Sequence, residues 1–132
     1  MIATILLIDD NAVQAATRQA ILKRAGYSAI AVLSPKRALE QFQQDEFPGE
    51  ISLVITDHVM PGMNGSEFVR HLRQIRPTLP VLVISGLDEA EVEYKGLDVV
   101  FRQKPLHPEN LLASVHALVR PEQKDSAEQP VR

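Results

Sequence analysis

Residues 51–65 read ISLVITDHVMPGMNG, and the order of their side chains decides the fold. Residues 51–55 form an apolar run about the length of a strand, continuous rather than alternating, as expected of a strand buried on both faces. The run ends in Thr56-Asp57, and Pro61 and Gly65 then shape a loop, glycine permitting positive φ or close backbone approach. Beyond the loop Phe68, Val69, Leu72 and Ile75 recur at helical spacing until Pro77 ends the run. This is one strand-loop-helix unit with a carboxylate at the strand's carboxyl end.

The unit repeats in both directions. Residues 2–8, 29–33, 81–84 and 99–101 are further strand-length apolar runs. Residues 12–25 carry Val13, Ala16, Ala20 and Ile21 on one helical face, with Gly26 as the stop. Ser34-Pro35 reads as an N-cap followed by the first helical residue, with Ala38, Leu39 and Phe42 behind it. Leu111, Leu112, Val115, Leu118 and Val119 follow Pro108 at the same spacing. The segment 88–95, DEAEVEYK, is the weakest helix: short and acidic, with only Ala90, Val92 and Tyr94 to bury. Five strands alternating with five helices predict an α/β fold with one doubly wound parallel sheet. Residues 1–120 are read as a single domain without internal repeats. Residues 121–132, PEQKDSAEQPVR, are read as a disordered tail or the start of a linker.

Composition narrows the function. The 132 residues are 45% hydrophobic, enough for a packed core. Fourteen Lys and Arg against 17 Asp and Glu leave a charge of −3 and no basic stripe, which argues against direct nucleic-acid binding. The absence of cysteine removes disulfides, thiolate metal sites and a cysteine nucleophile. No apolar run approaches the roughly 18 residues needed to cross a bilayer, and the N-terminus lacks a signal-peptide pattern, so a cytoplasmic protein is expected.

In an open α/β sheet, ligands bind at the carboxyl ends of strands beside the point where strand order reverses. Here the first strand ends in Asp9-Asp10, the third in Thr56-Asp57, the fourth in Ser85-Gly86, and the fifth runs into Lys104-Pro105. Three carboxylates brought together repel, by about 4 kcal/mol for a pair about 4 Å apart at an effective dielectric of about 20. The cluster therefore calls for a cation, and oxygen donors alone suit a hard ion such as Mg²⁺.

These residues resemble those of a two-component response-regulator receiver domain of the CheY-like superfamily: the acid pair after the first strand, Asp57 followed by the loop VMPGMNG, Ser85 after the fourth strand, and Lys104-Pro105. The resemblance covers residues 3–119. It implies a flavodoxin-like (βα)5 fold with strand order 2-1-3-4-5, and Asp57 as the phosphoacceptor. It implies Mg²⁺, or Mn²⁺ in its stead, ligated by Asp10, Asp57 and the backbone carbonyl of Val59, with Asp9 acting through bound water. Lys104 would pair with Asp57 and then with a phosphoryl oxygen. Ser85 would be the hydroxyl that moves toward the phosphoryl group, and Phe101 the aromatic that swings with it. A cis peptide bond before Pro105 is also implied. The implied role is a signalling switch that catalyses only its own phosphorylation and dephosphorylation. It would be fed by the phosphohistidine of a sensor kinase or phosphotransfer protein, read by an output domain or protein through the fourth helix, fifth strand and fifth helix, and open to dimerisation.

Departures and supporting residues complete the reading. The stretch between Ser85 and Lys104 is short for the family, so a reduced fourth helix is expected. Val59 cannot orient a water by hydrogen bonding, and slow loss of the phosphoryl group is expected. His58 is read as solvent-facing, Met60 and Met63 as loop packing, and His71, His107 and His116 as too scattered for a metal site. Gln14 and Arg18 are read as exposed residues of the first helix which, with residues 106–108, form a docking surface around the acidic crevice. A flavin mononucleotide site is disfavoured because Asp9 and Asp10 would repel its phosphate. An aspartate-nucleophile phosphohydrolase is disfavoured by the adjacent acid pair and the lack of room for a cap.

Overall fold

Asp57 ends the middle strand of a five-stranded parallel sheet in the order β2-β1-β3-β4-β5, the expected topology. The computed structural model describes residues 2–128, with side chains described through Val119. Its elements are β1 (Thr4–Ile8), α1 (Ala12–Arg24), β2 (Ser28–Val32), α2 (Pro35–Gln43), β3 (Leu53–Asp57), α3 (Gly65–Ile75), β4 (Val81–Ser85), a 3-10 segment (Asp88–Tyr94), β5 (Val100–Gln103) and α4 (Pro108–Glu128).

The continuous apolar runs follow from burial on both faces, with alternate residues facing opposite sides. On one face Leu6, Ile8, Val54 and Val83 pack with Leu39 and Phe42 of α2 and Phe68, Val69 and Leu72 of α3. On the other, Ile5, Leu7, Leu53, Ile55, Leu82 and Ile84 pack with Leu22 of α1 and Leu111 and Val115 of α4. Helix starts are set by capping. The Ser34 side chain accepts from the Arg37 N–H ahead of Pro35. Asn64 and Glu67 form a reciprocal capping box at 2.9 Å in both directions, fixing the start of α3 just after the loop from Asp57.

Gly65 meets a steric demand. A Cβ there would lie 2.7 Å from the Asp57 carbonyl oxygen and 3.0 Å from His58 Cα, and would also meet the Tyr94 hydroxyl. The Gly65 N–H donates to the His58 carbonyl at 2.7 Å, so the loop closes against the strand end.

Three expectations change. The buried side of α1 is not the one carrying Val13, Ala16 and Ala20. Val13 is 77% exposed, while Ala15 and Leu22 are buried and Gln14, Arg18 and Ile21 are partly so. The inward stripe runs 14–15–18–21–22, and its first turns face a polar sheet end, so hydropathy alone points to the wrong side. The segment 88–95 is 3-10 rather than α-helical; 3-10 rises about 2.0 Å per residue against about 1.5 Å, which lets a short connection span the distance. Ala90 and Tyr94 are buried there, but Val92 is 71% exposed. Finally, the helix after Pro108 does not stop at Pro121 but continues to Glu128; residues 129–132 of the expected tail lie outside the described residues. Among the described residues no helix is long and apolar enough to cross a membrane.

Candidate functional site

Parallel register brings four strand ends to one edge. Ile8 pairs with Thr56, Asp57 with Ile84, and Ser85 with Gln103, so Asp9, Asp57, Ser85 and Lys104 leave the sheet together. The Asp9 N–H donates to the Val32 carbonyl at 3.2 Å and the Lys104 N–H to the Ser85 carbonyl at 2.7 Å, which extends the ladder to these residues. The Lys104–Pro105 peptide bond is cis. The chain leaves β1 for β2 on one side and returns to β3 on the other, so the crevice lies at the reversal of strand order.

Asp9 and Asp57, 1% and 4% exposed, converge there. One amide nitrogen bridges them: Gln14 Nε2 donates to Asp9 Oδ2 at 2.6 Å and to Asp57 Oδ2 at 2.8 Å. One guanidinium nitrogen does the same, Arg18 Nη1 lying 3.3 Å from Asp9 Oδ2 and 3.1 Å from Asp57 Oδ1. Lys104 Nζ stands 3.4 Å from Asp57 Oδ1 and 3.4 Å from Gln14 Oε1. The Asn11 N–H donates to Asp9 Oδ1 at 2.9 Å. Burial pushes the Asp57 carboxyl above its ordinary range; Arg18 and Lys104 pull it back, and Asp9 adds to the rise. Asp57 is therefore a buried carboxyl whose charged form burial disfavours and two neighbouring cations partly restore.

The remaining expected site residues lie around this pair. Asp10 is exposed, and among the described residues no three acidic, His or Cys side chains gather as a metal site. Two buried carboxylates close enough to share one amide still fit a hard divalent ion, which commonly takes one or two carboxylates with waters. Val59 is 65% exposed. The Ser85 hydroxyl is engaged with Leu87: it accepts from the Leu87 N–H at 3.0 Å and donates to the Leu87 carbonyl at 3.3 Å. Phe101 is half-buried, its ring 5.8 Å from that of Tyr94.

Sequence reasoning misplaced three residues. Gln14 and Arg18 are not solvated; they turn into the crevice, because the polar stripe at i, i+4 continues through Ile21 and Leu22 to the buried face. That spacing was the signal. His58 is buried, at 5% exposure, not solvent-facing. Its Nδ1 lies 2.7 Å from the Tyr94 hydroxyl and its Nε2 3.6 Å from Glu93 Oε2. Tyr94 is buried as expected, and its hydroxyl is also the polar partner of His58. Burial and the charges of Glu93 and Asp57 hold that phenol well above its ordinary range.

Residues 5–116 match the response regulator receiver domain family. The chain belongs to that family. Relatives and neighbours agree. A receiver domain protein from Clostridium thermocellum superposes with TM-score 0.82 at 25% identity, covering 92% of this chain and 98% of that one. A receiver protein from Sinorhizobium medicae gives 0.78 at 30% identity, covering 91% and 96%. In sequence, the transcriptional regulatory protein SphR of Synechococcus elongatus, described by its role in alkaline phosphatase synthesis, is 30% identical over 134 residues, 96% of this chain and 52% of SphR. Arabidopsis thaliana ARR21 is 36% identical over 110 residues, 81% of this chain but 17% of that protein. The receiver thus spans about half of SphR and less of ARR21. Receiver domains are the regulatory phosphoacceptor units of two-component systems and generally bind Mg²⁺ at the acidic pocket. Response regulators interact with histidine kinases or phosphotransfer proteins and with output domains.

Proposed function

We propose that this receiver accepts a phosphoryl group on Asp57 in a Mg²⁺-dependent reaction and passes the change to an output partner through the surface of the 3-10 segment, β5 and α4. The observation that carries this reading is Asp57 itself: a buried carboxylate at the switch point, with Lys104 Nζ 3.4 Å from Oδ1 and Asp9 beside it. An Asp57 oxygen forms the new bond to phosphorus as the bond from phosphorus to the donor breaks. The leaving group is the imidazole nitrogen of a phosphohistidine, or acetate when acetyl phosphate is the donor. Lys104 meets the negative charge of the transferring group, in a reaction governed by positioning and electrostatics.

Asp10, Asp57 and the Val59 carbonyl would hold Mg²⁺ or Mn²⁺, with Asp9 acting through water; the ion would supply charge neutralisation. Asp57 would then carry roughly −1.5 to −2 charges, by analogy with phosphoesters. The added oxygens recruit the Ser85 hydroxyl from its Leu87 contacts. The loop after β4 follows, and Phe101 shifts against Tyr94. The apolar Val59 favours a long-lived phosphoryl group. The donor docks at the groove of about 530 Å³ bounded by Gln14, Thr17, Lys104, Leu106 and Pro108. On this reading the receiver unit is residues 1–120, 121–132 lead out of it, and the protein acts in the cytoplasm, with dimerisation open to the phosphorylated form.

The test is labelling with radioactive acetyl phosphate and MgCl2, followed by transfer from purified histidine kinases. Wild type takes label and Asp57→Asn does not. Undiminished labelling of that variant would remove Asp57 as the acceptor.

A further inference from the structure

The acid pair is saturated by the protein's own donors. Asp9 Oδ1 takes the Asn11 N–H, and Asp9 Oδ2 takes Gln14 Nε2 and Arg18 Nη1. Asp57 Oδ1 takes Arg18 Nη1, with Lys104 Nζ alongside, and Asp57 Oδ2 takes Gln14 Nε2. All four oxygens are met. The Arg18 side chain is only 12% exposed, so its charge is committed to the crevice instead of sampling solvent. It gets there because Arg18 lies one turn after Gln14 on the inward stripe of α1, the stripe that ends in the buried Leu22. Nothing about a solvated arginine would produce one nitrogen within 3.3 Å of two carboxylates on different strands.

We propose that Arg18 is a resident counter-cation of this receiver, one that competes with the divalent ion for the Asp9–Asp57 pair. The inference rests on the reading of Asp57 as a Mg²⁺-assisted acceptor and adds a regulatory term to it. A guanidinium and a divalent cation seek the same oxygens. Binding of the ion must either displace Arg18 or tolerate a like charge beside it, and both weaken the ion's affinity. Gln14, hydrogen-bonded to both carboxylates and in reach of Lys104, moves with it. The resting pocket is closed by α1, and opening it for the ion also frees Asp57 for attack. Arg18 acts through Asp9 and Asp57 and is a positioning residue.

The experiment titrates MgCl2 into wild type, Arg18→Ala and Arg18→Lys, following heat by calorimetry and backbone amides by NMR. Arg18→Ala binds Mg²⁺ at least tenfold more tightly than wild type, and Arg18→Lys, which keeps the charge, stays close to wild type. In wild type the Arg18 Nε–H resonance shifts during the titration with the same midpoint as the amides around Asp57. This last measurement needs no variant and decides the matter even if Arg18→Ala fails to fold. Equal or weaker affinity in Arg18→Ala, or an Arg18 signal that stays still while the Asp57 amides move, overturns the competition and leaves Mg²⁺ dependence standing. No binding of MgCl2 to wild type or to either variant overturns both.

Discussion

The Tyr94 hydroxyl lies 2.7 Å from Nδ1 of His58, joining the residue after Asp57 to the 3-10 segment 36 positions later. Both partners are buried, at 4% and 5% exposure, so neither can exchange the other for water without local opening. The same hydroxyl sits over Gly65, and the Tyr94 ring faces Phe101. Strand end, loop, 3-10 segment and β5 thus meet at one phenol.

Tyr94→Phe keeps the ring packing and removes the hydroxyl, leaving a buried imidazole nitrogen without its partner. The expected loss is about 1–2 kcal/mol of stability, read by urea or thermal unfolding. A double-mutant cycle with His58→Phe isolates the pair; additive losses would show that the two do not interact.

Gly65→Ala places a methyl against the Asp57 carbonyl oxygen, 2.7 Å away, where only backbone movement gives relief. A destabilisation of about 1–3 kcal/mol is expected, as for other overpacked sites. Slower phosphoryl transfer should accompany it, because the displaced atoms belong to Asp57, the proposed acceptor. Measured stability within 0.5 kcal/mol of wild type, roughly the surface-substitution range, would contradict the close approach.

How far the sequence disclosed these features depended on where each residue's partners lie in the chain. The strands were legible because burial on both faces leaves continuous apolar runs such as 51–55 and 81–84. Asp9, Asp57, Ser85 and Lys104 were legible as strand-end residues because parallel register carries them to one edge. Arg18 was not, since a polar residue facing inward looks the same as one facing water until the carboxylates opposite it are placed. His58 was hidden for a related reason: its burial depends on Tyr94 folding back over the loop. The 3-10 geometry was foreshadowed only by the shortness of the stretch before Lys104.

Asp57 has its ionised form disfavoured by burial, with a pKa raised above the ordinary 3.8, and this sets a pH dependence. The folded state keeps the proton to higher pH than the unfolded state does. Stability from this group is therefore full below about pH 3.8 and is lost as pH rises through the raised folded value. Asp57→Asn, which never ionises, should unfold about 3–6 °C above wild type at pH 7 in EDTA for each kcal/mol recovered. The difference should shrink toward zero in acid. A variant less stable than wild type at pH 7 would reverse the sign and show that Arg18 and Lys104 outweigh burial.

Lys104→Met removes the ammonium 3.4 Å from Asp57 while keeping the length of the side chain. Labelling by acetyl phosphate should slow about 100-fold, the scale of losing one donor to developing charge. Circular dichroism and the unfolding midpoint should change little, because the lysine side chain is 34% exposed and methionine keeps its apolar stem. An unaltered labelling rate would take Lys104 out of the reaction.

The connection between β4 and β5 has few apolar anchors: of the seven residues from Asp88 to Tyr94, only Ala90 and Tyr94 are sunk into the interior. With so little of it in the interior, the strip's amide protons should trade with deuterium sooner than those of the helices beside it. On the proposed reading, a chemical event at the crevice should register there as a changed exchange rate.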